Sequence, residues 1–267
     1  MSLAVLAFAA ALAATDAPAP GLEHAAKALE EKNPREAILE LEQLADQGVI
    51  DPSASFDRGL AYAMRAAISP QPGDFGRAIH GFEEAADLAG TSDLERVAKS
   101  TSRSLRQEVS KRNARAGVTV GVEPSPSVDR AIARALPENA WALGTVALSW
   151  LATIAMVIAT TKKLSTRASQ RTAAMVVTLT AASFATFTAM VTWFARRERL
   201  EYTEGIVIAE LAHPEDDERK NIPAEYPLPE GTRLLILDES GSRVKVRLVA
   251  RDAWVSRNAV LVLSKKR

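Results

Sequence analysis

Residues 139–161 read NAWALGTVALSWLATIAMVIATT and residues 172–195 read TAAMVVTLTAASFATFTAMVTWFA, two stretches without one charged side chain. Each exceeds the roughly 20 residues a helix needs to cross a hydrocarbon core about 30 Å thick. A buried helix of a soluble protein is the competing reading, and two such runs in tandem flanked by basic residues argue against it. Trp141 near the start of the first run and Trp193 near the end of the second suit the interfacial aromatic belt. Both runs are rich in Ala, Ser and Thr, which let helices approach closely in lipid. The expectation is a transmembrane helical hairpin with residues 162–171 as its tip.

Orientation is finely balanced by charge. The tip carries Lys162, Lys163, Arg167 and Arg171 and no acid, which favours the cytoplasm. Arg130 and Arg134 precede the pair, however, and Arg196, Arg197 and Arg199 follow it. The N-terminus decides. Residues 1–14 read MSLAVLAFAAALAA, an apolar run too short to span, and Ala11-Leu12-Ala13 fits an A-x-A cleavage signal ahead of polar, Pro-containing sequence. Only the amino terminus supplies positive charge to its n-region, and an ordinary amphipathic start is the alternative. As a signal peptide it exports the region before the first span, places the tip in the cytoplasm and exports the C-terminus. The chain is then a multi-pass protein of a bacterial plasma membrane with both soluble parts extracytoplasmic.

The charge total excludes other classes. With 33 basic and 33 acidic residues there is no polycationic surface for nucleic acid. The absence of cysteine removes disulfides, Cys-ligated zinc and thiol nucleophiles.

Residues 21–115 are rich in Ala, Leu, Glu, Lys and Arg with apolar residues at helical spacing. Breaks at Asn33-Pro34, Asp51-Pro52, Pro70–Gly73 and Gly90–Ser92 divide them into helices, the first two as an N-cap followed by proline at the first helical position. Arg35-Glu36-Ala37-Ile38 with Leu41 and Leu44 aligns with Arg77-Ala78-Ile79 with Phe82 and Ala85, an internal repeat. Gly59 and Tyr62, then Ala78, Phe82 and Ala85, resemble the small and aromatic positions of tetratricopeptide repeats. That resemblance implies paired helices and a groove for a peptide or helix of another protein. An ordinary helical bundle is the alternative. About two repeats with one further helix fall below the three or so needed for a stable stack, so support from a partner or the membrane is expected. The basic run 103–115 (RSLRQEVSKRNAR) reads as a solvated helix face, or as a surface for anionic lipid or an acidic partner. Residues 116–138 form a linker with a short amphipathic stretch near the first span.

After Arg199 the period changes to that of strands. Residues 205–211 (GIVIAEL), 232–237, 243–249, 253–255 and 259–263 are short and β-branched, and Val244, Val246 and Leu248 alternate with Lys245 and Arg247. Residues 203–264 are expected to form a small all-β barrel. The order of elements resembles a bacterial SH3-like domain: an early strand, a long loop (212–229), Glu230-Gly231-Thr232 leading into a strand, a hairpin, and the Trp254-Val255 pair. Val244 and Ala253 stand where that family often has tryptophan and glycine, which weakens the case for a peptide or cell-wall ligand on this domain.

No chemistry announces itself. His24, His80 and His213 lie far apart, and no H-E-x-x-H, Walker A, dinucleotide-binding or G-x-S-x-G pattern is present. The acidic cluster Glu215, Asp216, Asp217 and Glu218 lacks the spacing of a calcium loop. No catalytic, cofactor-binding or metal-ligating residue is assigned, and a non-enzymatic protein is expected.

Signal peptide, repeat array, two spans and SH3-like tail together resemble BatE-type proteins of bacterial aerotolerance operons. The resemblance implies a membrane-anchored envelope scaffold that works with other membrane proteins, some with von Willebrand A-type domains. The alternative is a sensor of cell-wall peptide or envelope stress, with peptidoglycan bound by the β domain.

Overall fold

The structure, a computed structural model, describes residues 21–90, 92–121, 138–160, 168–201, 203–218, 222, 226–249 and 251–264. The expected signal peptide, most of the linker, residue 161 at the end of the first span and residues 162–167 of the hairpin tip lie outside the described residues. The chain divides into two compact units, one drawing on Met1–Ser125 together with Thr203–Arg267, the other being Pro126–Tyr202.

The first unit begins with five helices, each packed on the next: α1 (Leu22–Glu30), α2 (Pro34–Asp46), α3 (Pro52–Ile68), α4 (Asp74–Ala89) and α5 (Asp93–Arg115). Their starts follow the expected breaks. Asn33 and Asp51 are N-caps with Pro34 and Pro52 in the first turn, where a missing N–H costs nothing. The Asp51 carboxylate accepts the Ser53 and Ala54 N–H groups at 2.8 and 2.9 Å, and so satisfies two of the orphan donors. Gly90, at φ 70°, ends α4.

Helices α3 and α4 cross at contact distance because both carry glycine there. A Cβ on Gly81 would stand 2.5 Å from the Gly59 nitrogen and 2.7 Å from the Ser55 carbonyl oxygen. Phe56 and Phe82 fill the space alongside, edge to face with centroids 5.1 Å apart. The aligned residues Ala37, Ile38, Leu41 and Leu44, and Ala78, Ile79, Phe82 and Ala85, are all buried.

The β region forms strands β1 (Thr203–Val207), β2 (Leu211–Ala212), β3 (Leu228–Pro229), β4 (Arg233–Ser240), β5 (Arg243–Arg247), β6 (Asp252–Ser256) and β7 (Val260–Val262). Five make an antiparallel sheet in the order β6-β5-β4-β1-β7, and β2 pairs with β3 separately. Val244 and Val246 point into the core while Lys245 and Arg247 point outward, as the alternation requires. The first strand is shorter than 205–211. After Val207 the ladder ends: the Val207 N–H turns to the Thr232 carbonyl and the Gly231 N–H to the Val207 carbonyl, and Leu211 pairs instead with Pro229.

Read from sequence, the helices and the strands are separate domains; in the structure they belong to one compact unit, in which the strands keep a core of their own around Val207, Leu234, Val244, Val246 and Val255 and pack against the helices along one side. Ile206 and Leu263 join the hydrophobic cluster of the helices. The first turn of α4 lies on the sheet backbone, and a Cβ on Gly76 would stand 2.7 Å from both the Ile208 Cα and the Val207 carbonyl oxygen. The fully buried Glu230 carboxylate accepts the Gly76 N–H at 3.1 Å and an Arg112 N–H from α5. Arg233 of β4 reaches Glu83 and Asp87 of α4 at 2.9 and 2.7 Å, and Glu204 of β1. Two cations of the basic run, Arg106 and Arg112, are thus spent on carboxylates of the same unit, Glu83 and Glu230.

The second unit pairs α6 (Glu138–Thr160) with α7 (Ala168–Glu201). Both are long and apolar enough to cross a membrane, over Ala140–Thr160 and Thr172–Arg197. Only 6% and 17% of their most apolar windows are buried, whereas the core helix of a soluble protein is mostly buried. Leu143, Trp150, Met175, Leu179 and Phe184 are each more than half exposed, an apolar surface of the extent that marks a membrane or protein contact. Where the helices touch, the hydroxyls of Thr145 and Thr188 meet at 3.0 Å.

Gly76→Ala should destabilise the first unit by about 2 kcal/mol, the range for forcing a methyl into a packed site. Thermal unfolding of the full-length protein in detergent micelles measures it. An unchanged midpoint would mean that α4 does not lie against the sheet backbone.

Candidate functional site

The edge strand β7 does not end in solvent. An edge exposes unpaired N–H and C=O groups, and here α4 supplies side chains to take them. His80 Nε2 donates to the Val262 carbonyl at 2.9 Å, and the Ser264 N–H donates to Glu84 at 3.0 Å. His80 and Glu84 sit one helical turn apart on α4, so both face the strand. The other Glu84 oxygen accepts the Ser55 hydroxyl at 2.8 Å and an Arg58 N–H, both from α3.

This cluster forms the floor of an open cleft of about 330 Å3 between the end of α2, the turn after it, α3, α4 and β7. That volume lies at the lower end of those that hold small ligands or a peptide side chain or two. Tyr62 is its aromatic wall: its hydroxyl donates to Glu42 at 2.9 Å, and the guanidinium groups of Arg65 and Arg77 lie 5.0 and 5.8 Å from its ring centroid. Arg65 is held by the buried Asp74. Arg77 also lines the cleft, and its only hydrogen bond is a long one, 3.5 Å, to the Pro72 carbonyl; among the described residues no carboxylate pairs with it. Val49, Ile50 and Leu261 add an apolar rim. The arrangement offers one uncompensated cation, acceptors at Glu42 and Asp46, and a flat ring, a set suited to binding a polar segment.

Burial and neighbours set the charges. Burial pushes the His80 imidazole down from its usual value, and its Nε2 N–H is held by the Val262 carbonyl. Burial raises the Glu84 carboxyl, but His80, Arg58 and the hydrogen bonds from Ser264 and Ser55 outweigh it and hold the group below the ordinary range. Elsewhere on α3, Asp57 is pushed up to about 7 by burial and by the charge of Asp51.

The other residues singled out in the sequence fall apart in space. His24 and His213 are exposed and remote in sequence from His80. In the acidic loop, Asp217 accepts the Trp254 indole N–H at 2.6 Å and Glu215 pairs with the Trp254 backbone at 2.7 and 2.9 Å. Arg243 and Lys245 cover the indole, at 4.9 and 5.7 Å from its centroid. The loop therefore serves to seat Trp254, and among the described residues no three His, Asp or Glu side chains are grouped to hold a metal. Arg58, Arg77 and Glu84 carry no motif, and only the pairing of strands with helices reveals them.

Comparison with known proteins returned no matching family model, no curated relative and no matching solved structure.

Unfolding releases His80 to an imidazole that titrates near 6.5, so below that pH the unfolded chain binds more protons than the folded one. Stability therefore falls as pH drops through this window. His80→Gln keeps an N–H donor and removes the titration. Thermal midpoints measured at about pH 7.5 and about pH 5 should drop more for the wild type than for the variant; equal drops would mean that His80 is not buried against β7.

Proposed function

We propose that this chain is a non-enzymatic, membrane-anchored scaffold of the bacterial envelope that holds a segment of a partner protein in the cleft between α2, α3, α4 and β7. The observation that carries the reading is the make-up of the first unit. That unit joins chain from both sides of α6 and α7, the helices packing on the strands through Ile206, Leu263, Gly76 and Glu230. Segments in direct contact cannot lie on opposite sides of a bilayer, so the number of crossings between residues 121 and 203 has to be even. Two crossings by two apolar helices satisfy that condition, and a single crossing violates it. The parity favours two crossings over one, while the entry of the helices into lipid rests on their length and apolar surface.

Other observations support the finer reading. The repeat-like residues Gly59, Tyr62, Ala78, Phe82 and Ala85 occupy one buried crossing, as a tetratricopeptide-like pair requires. The need of a short array for outside support is met by the sheet that packs against its last helices. The order of strands, with a long loop after the first and Trp254-Val255 near the end, agrees with an SH3-like barrel. The seated, covered Trp254 speaks for a structural indole rather than a ligand face. Together with the order of segments these features favour a BatE-like scaffold with its head on the extracytoplasmic face and other membrane proteins as partners.

The test uses the full-length protein purified from membranes in mild detergent, beside an Arg77→Glu variant. Arg77 makes one long hydrogen bond and a loose contact with the Tyr62 ring, so its reversal should change stability by no more than about 1 kcal/mol. A specific co-purifying membrane protein that the variant loses supports the reading. No partner, or one retained equally by the variant, contradicts it.

A further inference from the structure

Trp150 stands where tryptophan is seldom placed. It is the middle residue of the span Ala140–Thr160, about 15 Å along the helix from its start, and so about halfway through a core some 30 Å thick. It is 65% exposed, and among the described residues its indole N–H has no acceptor. Indoles favour the membrane interface because one end is apolar and the other wants a hydrogen bond. At mid-depth lipid offers no acceptor, and an unsatisfied donor there is costly. Neighbouring hydroxyls avoid the difficulty within their own helix: Ser149 donates to the Thr145 carbonyl at 2.7 Å and Thr153 to the Ser149 carbonyl at 2.8 Å. An indole N–H cannot reach back in that way.

The surroundings of Trp150 have a pattern. Leu143, Val146, Trp150, Thr153 and Val157 recur at intervals of three and four residues, and all five are exposed. This is the spacing of the seam of a two-stranded coiled coil, in which each knob enters a hole of four residues on the facing helix. For a parallel copy of α6, the hole that receives Trp150 consists of Val146, Ser149, Trp150 and Thr153. Both hydroxyl oxygens in it have used their protons on their own carbonyls and keep lone pairs free to accept. Donor and acceptors therefore lie on one helix face at nearly the same depth. Two copies inserted with the same topology present them to each other, positive N–H against negative oxygen.

We propose that α6 dimerises with α6 of a second copy of this chain, through this seam, with the Trp150 indole N–H donated to Ser149 or Thr153 across the interface. The proposal rests on the membrane reading above. It goes beyond it by making the anchor bivalent: two cleft-bearing units are brought together at the membrane, which raises avidity for a partner with two binding segments.

The chain has no cysteine, so single cysteines report directly. Full-length Val146→Cys and, on α7 at similar depth, Ser183→Cys are oxidised in native membranes and separated without reductant. A disulfide-linked dimer from Val146→Cys and little from Ser183→Cys is the expected result. Adding Trp150→Phe, which keeps the ring and removes the N–H, should lower the Val146→Cys dimer roughly three- to tenfold, the worth of one interhelical hydrogen bond in lipid. No dimer, a cross-link to a different protein, or a dimer indifferent to Trp150→Phe overturns the proposal. Alkaline carbonate washing separates the two levels: protein retained in membranes without cross-linking sinks the dimer alone, whereas protein released by the wash sinks the membrane reading as well.

Discussion

Backbone lies on backbone where the start of α4 meets the sheet, and the rest of the first unit is arranged around that approach. Gly76 makes room for the chain at Val207 and Ile208, and Glu230 enters beside it, its carboxylate held by the Gly76 N–H and by Arg112. A buried carboxylate is tolerated only with such partners. The contact therefore needs α4, α5 and the turn before β4 at once, residues more than a hundred positions apart in sequence. The strands have a core of their own, and Ile206 and Leu263 complete that of the helices. An array of two repeats is short for its kind, and a sheet of about sixty residues is small for independent stability; each supplies the cover that the other lacks.

Much of the local structure was legible because its causes are local. Asn-Pro and Asp-Pro mark helix starts through capping and the missing N–H of proline. The alternation of Val244 and Val246 with Lys245 and Arg247 marks a half-buried strand. The apolar runs reveal themselves by length. What could not be read depends on contacts between distant segments. Arg112 belongs to a run that looks like a solvated basic face, and only the arrival of Glu230 gives it a partner. Glu84 and His80 look like ordinary helix residues until β7 brings an unpaired carbonyl and N–H to them. The cleft shares that origin, since its walls come from α2, α3, α4 and the last strand. Glycines gave the nearest thing to a signal: Gly73 and Gly76 at the start of a helix are poor helix formers and stand out as places of close approach.

The same packing bears on function. In the proposed reading, a scaffold at a membrane surface profits from a binding unit that does not come apart, and here residues 21–121 and 203–264 belong to one unit while the two helices between them are apolar. In the proposed reading the hairpin is a loop of chain extruded from that body into lipid, and the body has to form after both spans are made. The cleft lies at the seam between the halves, so a ligand there touches both and favours their association. This links binding in the cleft to the integrity of the unit without any moving part.

The central claim is that residues 21–121 and 203–264 pack together on one side of the membrane. Topology reporters fused after Arg115, within the tip between Lys162 and Arg171, and after Arg267 test it directly. The account predicts that the first and last report the same compartment and the middle one the opposite compartment. Reporters after Arg115 and Arg267 in different compartments would contradict it, because the contact between Glu230 and Arg112 could not then exist.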